Sequence, residues 1–124
     1  MIAADTSSLS AFFKGDDDTH TKLIHIALNA KDIVLSPVVV TEMLSDPLAH
    51  DEMLQTVANF PLLPILDGYW IRAGNNRREL RKKGFKAKVA DALIAQSCID
   101  HDVALITRDT DFRHFAKHCG LKLA

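Results

Sequence analysis

Val103-Ala-Leu-Ile-Thr-Arg-Asp-Thr-Asp-Phe112 is a short apolar run that ends in a hydroxyl and two acids. Four consecutive apolar residues rich in branched side chains read as a buried strand. The Thr107–Asp111 segment then reads as the turn into a helix over Thr110–His118, closed by Gly120. The N-terminus repeats the pattern: Ile2-Ala-Ala is apolar, Asp5 ends it, and Thr6-Ser-Ser offers N-cap hydroxyls for a helix through Phe13. Each of these strands leads into a helix, as in a parallel sheet, and each finishes on a carboxylate. In such a sheet, ligands bind beyond the carboxyl ends of the strands.

The rest of the chain fits the same alternation. Gly15-Asp-Asp-Asp18 reads as a solvated loop leading into a helix over Thr19–Ala30, whose Leu23, Ile24, Ala27 and Leu28 form one apolar stripe. Ile33–Ser36 reads as a strand, and Pro37 suits the first turn of a helix over Val38–Ser45. Asp46-Pro-Leu is expected to open another helix, with Leu48, Met53, Leu54, Val57 and Ala58 inward. Phe60–Ile65 reads as a proline-bounded strand, and Tyr69–Lys83 as a long helix stopped by Gly84. Ala87–Ile99 is a helix of small and aliphatic residues, with Ala90, Leu93, Ile94, Ser97 and Cys98 on one face. Leu121–Leu123 is a last short strand. The expectation is a single α/β/α domain over residues 1–124, with a mostly parallel sheet of about five strands covered on both faces.

Composition narrows the function. With 124 residues the chain can bury roughly two-thirds of its unfolded surface. A hydrophobic fraction of 48% and a charged fraction of 25% describe an ordinary globular chain rather than a disordered one. Two cysteines make no disulfide framework, and no apolar stretch approaches membrane-spanning length, so a reducing cytosolic setting is expected. There is no glycine-rich phosphate loop, no nucleophile elbow and no zinc spacing among the histidines. Net charge is −1, yet Arg72–Lys88 holds eight cations against the single acid Glu79. Such a segment suits a polyanion, or equally a solvated helix face.

The acids carry the chemistry. Asp5, Glu42, Asp91 and Asp109 come from distant parts of the chain, and each is expected at the same sheet edge. Gathered carboxylates repel, so the cluster needs a cation or retained protons. Hard divalent ions such as Mg²⁺ and Mn²⁺ take oxygen ligands and support hydrolysis of phosphodiesters. Either Asp109 or Asp111 can face the metal. Asp109 is favoured as nearer the strand end, which leaves Asp111 to cap the helix or stand outside. A phosphoacceptor domain and a non-catalytic binding module are the competing classes.

Asp5-Thr-Ser, Thr41-Glu, Val89-Ala-Asp-Ala-Leu-Ile-Ala and Thr107-Arg-Asp-Thr-Asp-Phe together resemble the PIN-domain ribonucleases, especially the VapC-type toxins of toxin–antitoxin pairs. The resemblance spans essentially the whole chain. It implies a Rossmann-like PIN fold and Mg²⁺- or Mn²⁺-dependent cleavage of RNA, with Asp5, Glu42, Asp91 and Asp109 as the acidic positions. It further implies supporting roles for Ser7 and Thr107, a homodimer, and a small antitoxin partner. Arg77, Arg78, Arg81, Lys82, Lys86 and Arg108 are the candidate RNA contacts. Leu44, Leu48, Met53, Leu54 and Val57 are a candidate interface, or plain core.

Overall fold

The computed structural model describes residues 1–124. Its elements run β1 (Ile2–Ala4), α1 (Thr6–Phe13), α2 (Thr19–Asn29), β2 (Ile33–Val34), α3 (Pro37–Leu44) and α4 (Asp51–Ala58). They continue with α5 (Tyr69–Lys82), α6 (Val89–His101), β3 (Ala104–Ile106) and α7 (Phe112–Cys119). The sheet is parallel, in the order β2-β1-β3. Ile2 pairs with Ile33 and with Ala104, which places the N-terminal strand in the centre. Ala3, Ala4, Ile33, Val34, Leu105 and Ile106 are all buried. Successive strand residues face opposite ways, so burial of both members of each pair means that both sheet faces are covered.

Strand number is where the sequence reading overreached. Three ladder strands are present, and the expected edge strands survive only as single parallel bridges, Leu35 to Leu62 and Leu105 to Leu123. Pro61 and Pro64 flank Leu62, and a proline cannot donate to a ladder, so pairing there stops after one residue. The helix expected from Asp46 begins only at Asp51. Asp46 instead accepts a hydrogen bond from the Leu48 amide at 2.9 Å, which closes a side-chain turn, and Leu48 points outward at 83% exposed. The α1 cap is also reassigned: Asp5 itself is the N-cap, and Thr6–Ser8 lie inside the helix.

A cluster of 23 buried apolar residues forms the core. Helix α6 runs through it with Ala92, Ile94, Ala95 and Cys98 buried, along with the polar Gln96 and Ser97, so it is enclosed on more than the one face expected. The polar groups of Ser36, Tyr69, Ser97 and Asp100 are paired inside the fold. Ser97 Oγ donates to Ser36 Oγ at 2.9 Å, and Tyr69 Oη donates to the Leu93 carbonyl at 2.6 Å. Arg72 grips Asp100 with Nε and Nη2 at 3.0 and 2.6 Å, while Gln96 Nε2 donates to the same carboxylate at 2.8 Å. Gly68, with φ of 80°, begins α5 in the left-handed region, where a Cβ would lie 2.6 Å from Arg72 Nη1. Only glycine fits that turn with Arg72 seated.

Candidate metal centre

The carboxyl ends of β1 and β3 are adjacent, and the site is built there. The Asp5 amide donates to the Ile106 carbonyl at 3.1 Å, which extends the ladder by one residue beyond the strands. That fixes Asp5 at the rim, 3% exposed, as the cap of α1. Both of its oxygens are held. Oδ1 accepts from the Ser8 amide at 2.9 Å and the Ser8 hydroxyl at 2.7 Å. Oδ2 accepts from Thr107 Oγ1 at 2.6 Å, and the Ser7 hydroxyl spans both oxygens at 3.0 and 2.9 Å. Thr107 Oγ1 in turn accepts from the Asp109 amide at 3.0 Å, so one hydroxyl ties the two strand ends together. The need for ordered carboxylates explains the Thr-Ser-Ser after Asp5: Ser7 and Ser8 serve the acid before the helix, and Thr6 serves Glu42.

Asp91 occupies the first turn of α6. Its Oδ2 is buried and has no hydrogen-bond partner, the one such side-chain atom in the molecule. Burial first, then the charges of Asp109, Glu42 and Asp111, push its carboxyl up to about 6, against a smaller pull from Lys88. Asp91, Asp109 and Asp111 offer oxygens that all lie within 4.8 Å of one another. Asp5, Glu42, Asp91 and Asp109 line one cavity of about 270 Å³, with Thr6, Ser7, Ser10 and Lys88. Glu42, exposed on α3, is steadied by Thr6 Oγ1 at 2.6 Å. A larger hollow between α1 and α2, about 500 Å³, gathers only the exposed loop acids Asp16 and Asp17.

The choice between Asp109 and Asp111 therefore divides by role. Asp109 lines the cavity, and its Oδ1 accepts from the Asp111 amide at 2.9 Å. Asp111 completes the triple from outside the lining, sits at the N-cap of α7 without capping it, and reaches Lys86 Nζ at 3.9 Å. Thr6, Ser8, Ser10 and Lys88 also belong to the site but were not singled out by sequence. The hydroxyl-rich run after Asp5 hinted at Thr6 and Ser8, and the basic Arg72–Lys88 segment at Lys88.

The proposed RNA cations scatter. Arg77 Nε donates to the Ala87 carbonyl at 2.7 Å and braces the α5–α6 loop. Lys82 Nζ lies 3.5 Å from Glu79. Arg108 Nη1 and Nη2 bind Asp16 at 3.0 Å and Asp18 at 3.3 Å, which anchors the α1–α2 loop to the strand end. Arg78 and Arg81 are exposed on α5, and Lys86 borders the acids.

The sequence profile of the PIN domain matches residues 2–118. No curated protein matches in sequence. Among solved structures, VapBC2 from Rickettsia felis bound to a promoter DNA fragment aligns with a TM-score of 0.72 and 23% identity, covering 100% of this chain and 98% of that one. FitAcB from Neisseria gonorrhoeae aligns at 0.71 and 18% identity, covering 99% and 96%. VapBC-5 from Mycobacterium tuberculosis, of the VapBC family of toxin–antitoxin systems, aligns at 0.66 and 19% identity, covering 98% and 95%.

Proposed function

The chain belongs to the PIN-domain family, and from that premise we propose that it is a metal-dependent endoribonuclease, the toxin of a toxin–antitoxin pair. The observation that carries the reading is the orphaned Asp91 Oδ2, buried among like charges. An acid in that position weakens a fold unless a cation compensates it. A donor set of carboxylate oxygens alone fits a hard divalent ion, Mg²⁺ or Mn²⁺, rather than zinc.

Asp91, Asp109 and Asp111 would hold the ion, with Glu42 and Asp5 lining the same cavity. When bound, such an ion neutralises the phosphodiester and activates a water for in-line hydrolysis. The chain's own residues supply order. Ser7, Ser8 and Thr107 keep the Asp5 carboxylate in one orientation, and Thr6 holds Glu42. Lys88 at the cavity wall offers a cation to phosphate.

An antitoxin, a second copy of the chain and a cytoplasmic setting belong to the same reading, by analogy with the VapBC complexes. Leu48 is exposed and lines a hollow of about 410 Å³ with Phe13 and Met53, a surface suited to an apolar partner segment, and Leu44 is exposed at the end of α3. Val57 is buried and belongs to the core.

The test combines unfolding with activity. Mn²⁺ at a hundred times its Kd should stabilise the wild type by about 2.7 kcal/mol per site. Asp91→Asn should lose most of that rise, and with it metal-dependent cleavage of RNA. A wild type whose unfolding and RNA cleavage both ignore Mn²⁺ and Mg²⁺ sinks the proposal.

A further inference from the structure

The cations of the Arg72–Lys88 segment do not form one patch. Those on α5 are largely engaged nearby: Arg72 with Asp100, Arg77 with the Ala87 carbonyl, Lys82 with Glu79. Arg78 projects from the face of α5 opposite Leu80, which is buried. The α5–α6 loop differs. Lys88 lines the acidic cavity beside Asp91, and Lys86 Nζ lies 3.9 Å from Asp111. Between Lys86 and α5 comes Phe85. Its ring stacks on His114 of α7, with centroids 4.1 Å apart and planes 13° from parallel. It also lies against His118, at 5.3 Å and 27°. Lys83 and Lys117 flank His118, and neither takes part in any ion pair of the molecule. His118 is exposed, and desolvation followed by the two lysines and His114 hold it below the ordinary imidazole value.

Cations that begin at the acids and continue past an exposed ring match a strand of nucleotides better than a point anion. Phosphates meet the lysines, and an unstacked base finds an aromatic face. We propose that a single RNA strand leaves the acid-lined cavity along the α5–α6 loop, passing Lys88 and Lys86, stacking a base on His118 and ending on Lys83 and Lys117. This path rests on the ribonuclease reading and extends it to the substrate's course. It also moves the RNA contacts from the outer face of α5 to the loop and α7.

The experiment measures binding of a fluorescein-labelled, mixed-sequence 12-nucleotide single-stranded RNA to the full chain. It is done with Mn²⁺ present, in an Asp91→Asn background that spares the probe. Lys83→Glu and Lys117→Glu should each weaken binding roughly tenfold and reduce the salt slope by about one or more. Arg78→Glu, the same charge change on the far face of α5, should alter binding less than twofold. His118→Ala should lose at least fivefold, whereas His118→Phe, which keeps a stacking face, should retain affinity. Equal losses from Lys83→Glu and Arg78→Glu, or none from either, overturn the path and leave the nuclease reading intact. So does His118→Phe failing together with His118→Ala, for the stacking step. A wild type that neither cleaves RNA with Mn²⁺ nor binds the probe removes both readings.

Discussion

Helix α6 carries a buried or half-buried carboxylate near each end, and the two are in opposite states. Asp91 stands in the first turn, where the helix dipole favours an anion, yet its carboxyl is pushed up to about 6. Asp100 stands near the C-terminus, where the dipole disfavours one, yet the hydrogen-bonded Arg72 guanidinium holds it below the usual range, helped by Gln96. Immediate neighbours outweigh the macrodipole. Asp100 has a bidentate cation and an amide, and Asp91 has acids and an oxygen with no partner. One end of the helix is finished as structure, and the other is left with a charge deficit that a ligand can fill.

The largest effect should come from removing the unfinished end. Asp91→Asn should lower metal-dependent RNA cleavage by roughly a hundredfold or more, measured at saturating Mg²⁺ on a fold-checked protein. If cleavage survives within a few-fold, Asp91 is not part of the machinery. The finished end should respond in the other way. Arg72→Met strands Asp100, whose side chain is 7% exposed, and should lower the unfolding temperature by roughly 5 °C or more. Cleavage per folded molecule should stay close to wild type.

The same contrast has a pH signature without metal. Asp91 titrates higher in the folded chain than in the unfolded one, from about 3.8 to about 6, so the fold takes up a proton in that window. Stability should therefore be greater near pH 4 and fall by about 1–2 kcal/mol as pH rises to 6, after allowance for solvent screening of a half-buried group. Asp100, with its lowered value, stabilises above the ordinary carboxylate range and loses that contribution only in stronger acid. Denaturant midpoints at pH 4.5 and 6.5 should lose their Asp91-dependent difference in Asp91→Asn; an unchanged difference means that the proton goes elsewhere. The smallest effect concerns the tied acid. Thr107→Val removes one donor from Asp5 and should cost about 1 kcal/mol, with a further loss of Mn²⁺ affinity readable by titration.

The sheet and its direction were readable in sequence because strands that alternate with helices are a local pattern that implies parallel pairing, and a strand ending in an acid at a helix start marks its carboxyl edge. Ile2–Asp5 and Ala104–Asp109 both show it, and the structure sets them side by side. Edge strands were not readable, since Leu62 and Leu123 have strand-like composition but a ladder's length depends on what lies opposite and on prolines that block donors. The Asp46–His50 turn was missed for a similar reason: a side-chain hydrogen bond to the Leu48 amide outcompeted the helix start that Asp-Pro suggests. The basic segment was legible as composition and illegible as surface. Helical phase and partners such as Asp100 and Glu79 divide its cations among different tasks.

The sequence by itself determined an α/β fold with a buried N-terminal strand and a set of acids at strand ends and helix starts, because those features follow from short-range periodicity and capping chemistry. Only the tertiary structure decided which carboxylate is saturated and which is bare. Asp5, Asp91 and Asp100 are the same residue type, and a carboxylate's state depends on donors and charges brought within a few ångströms from residues far away along the chain.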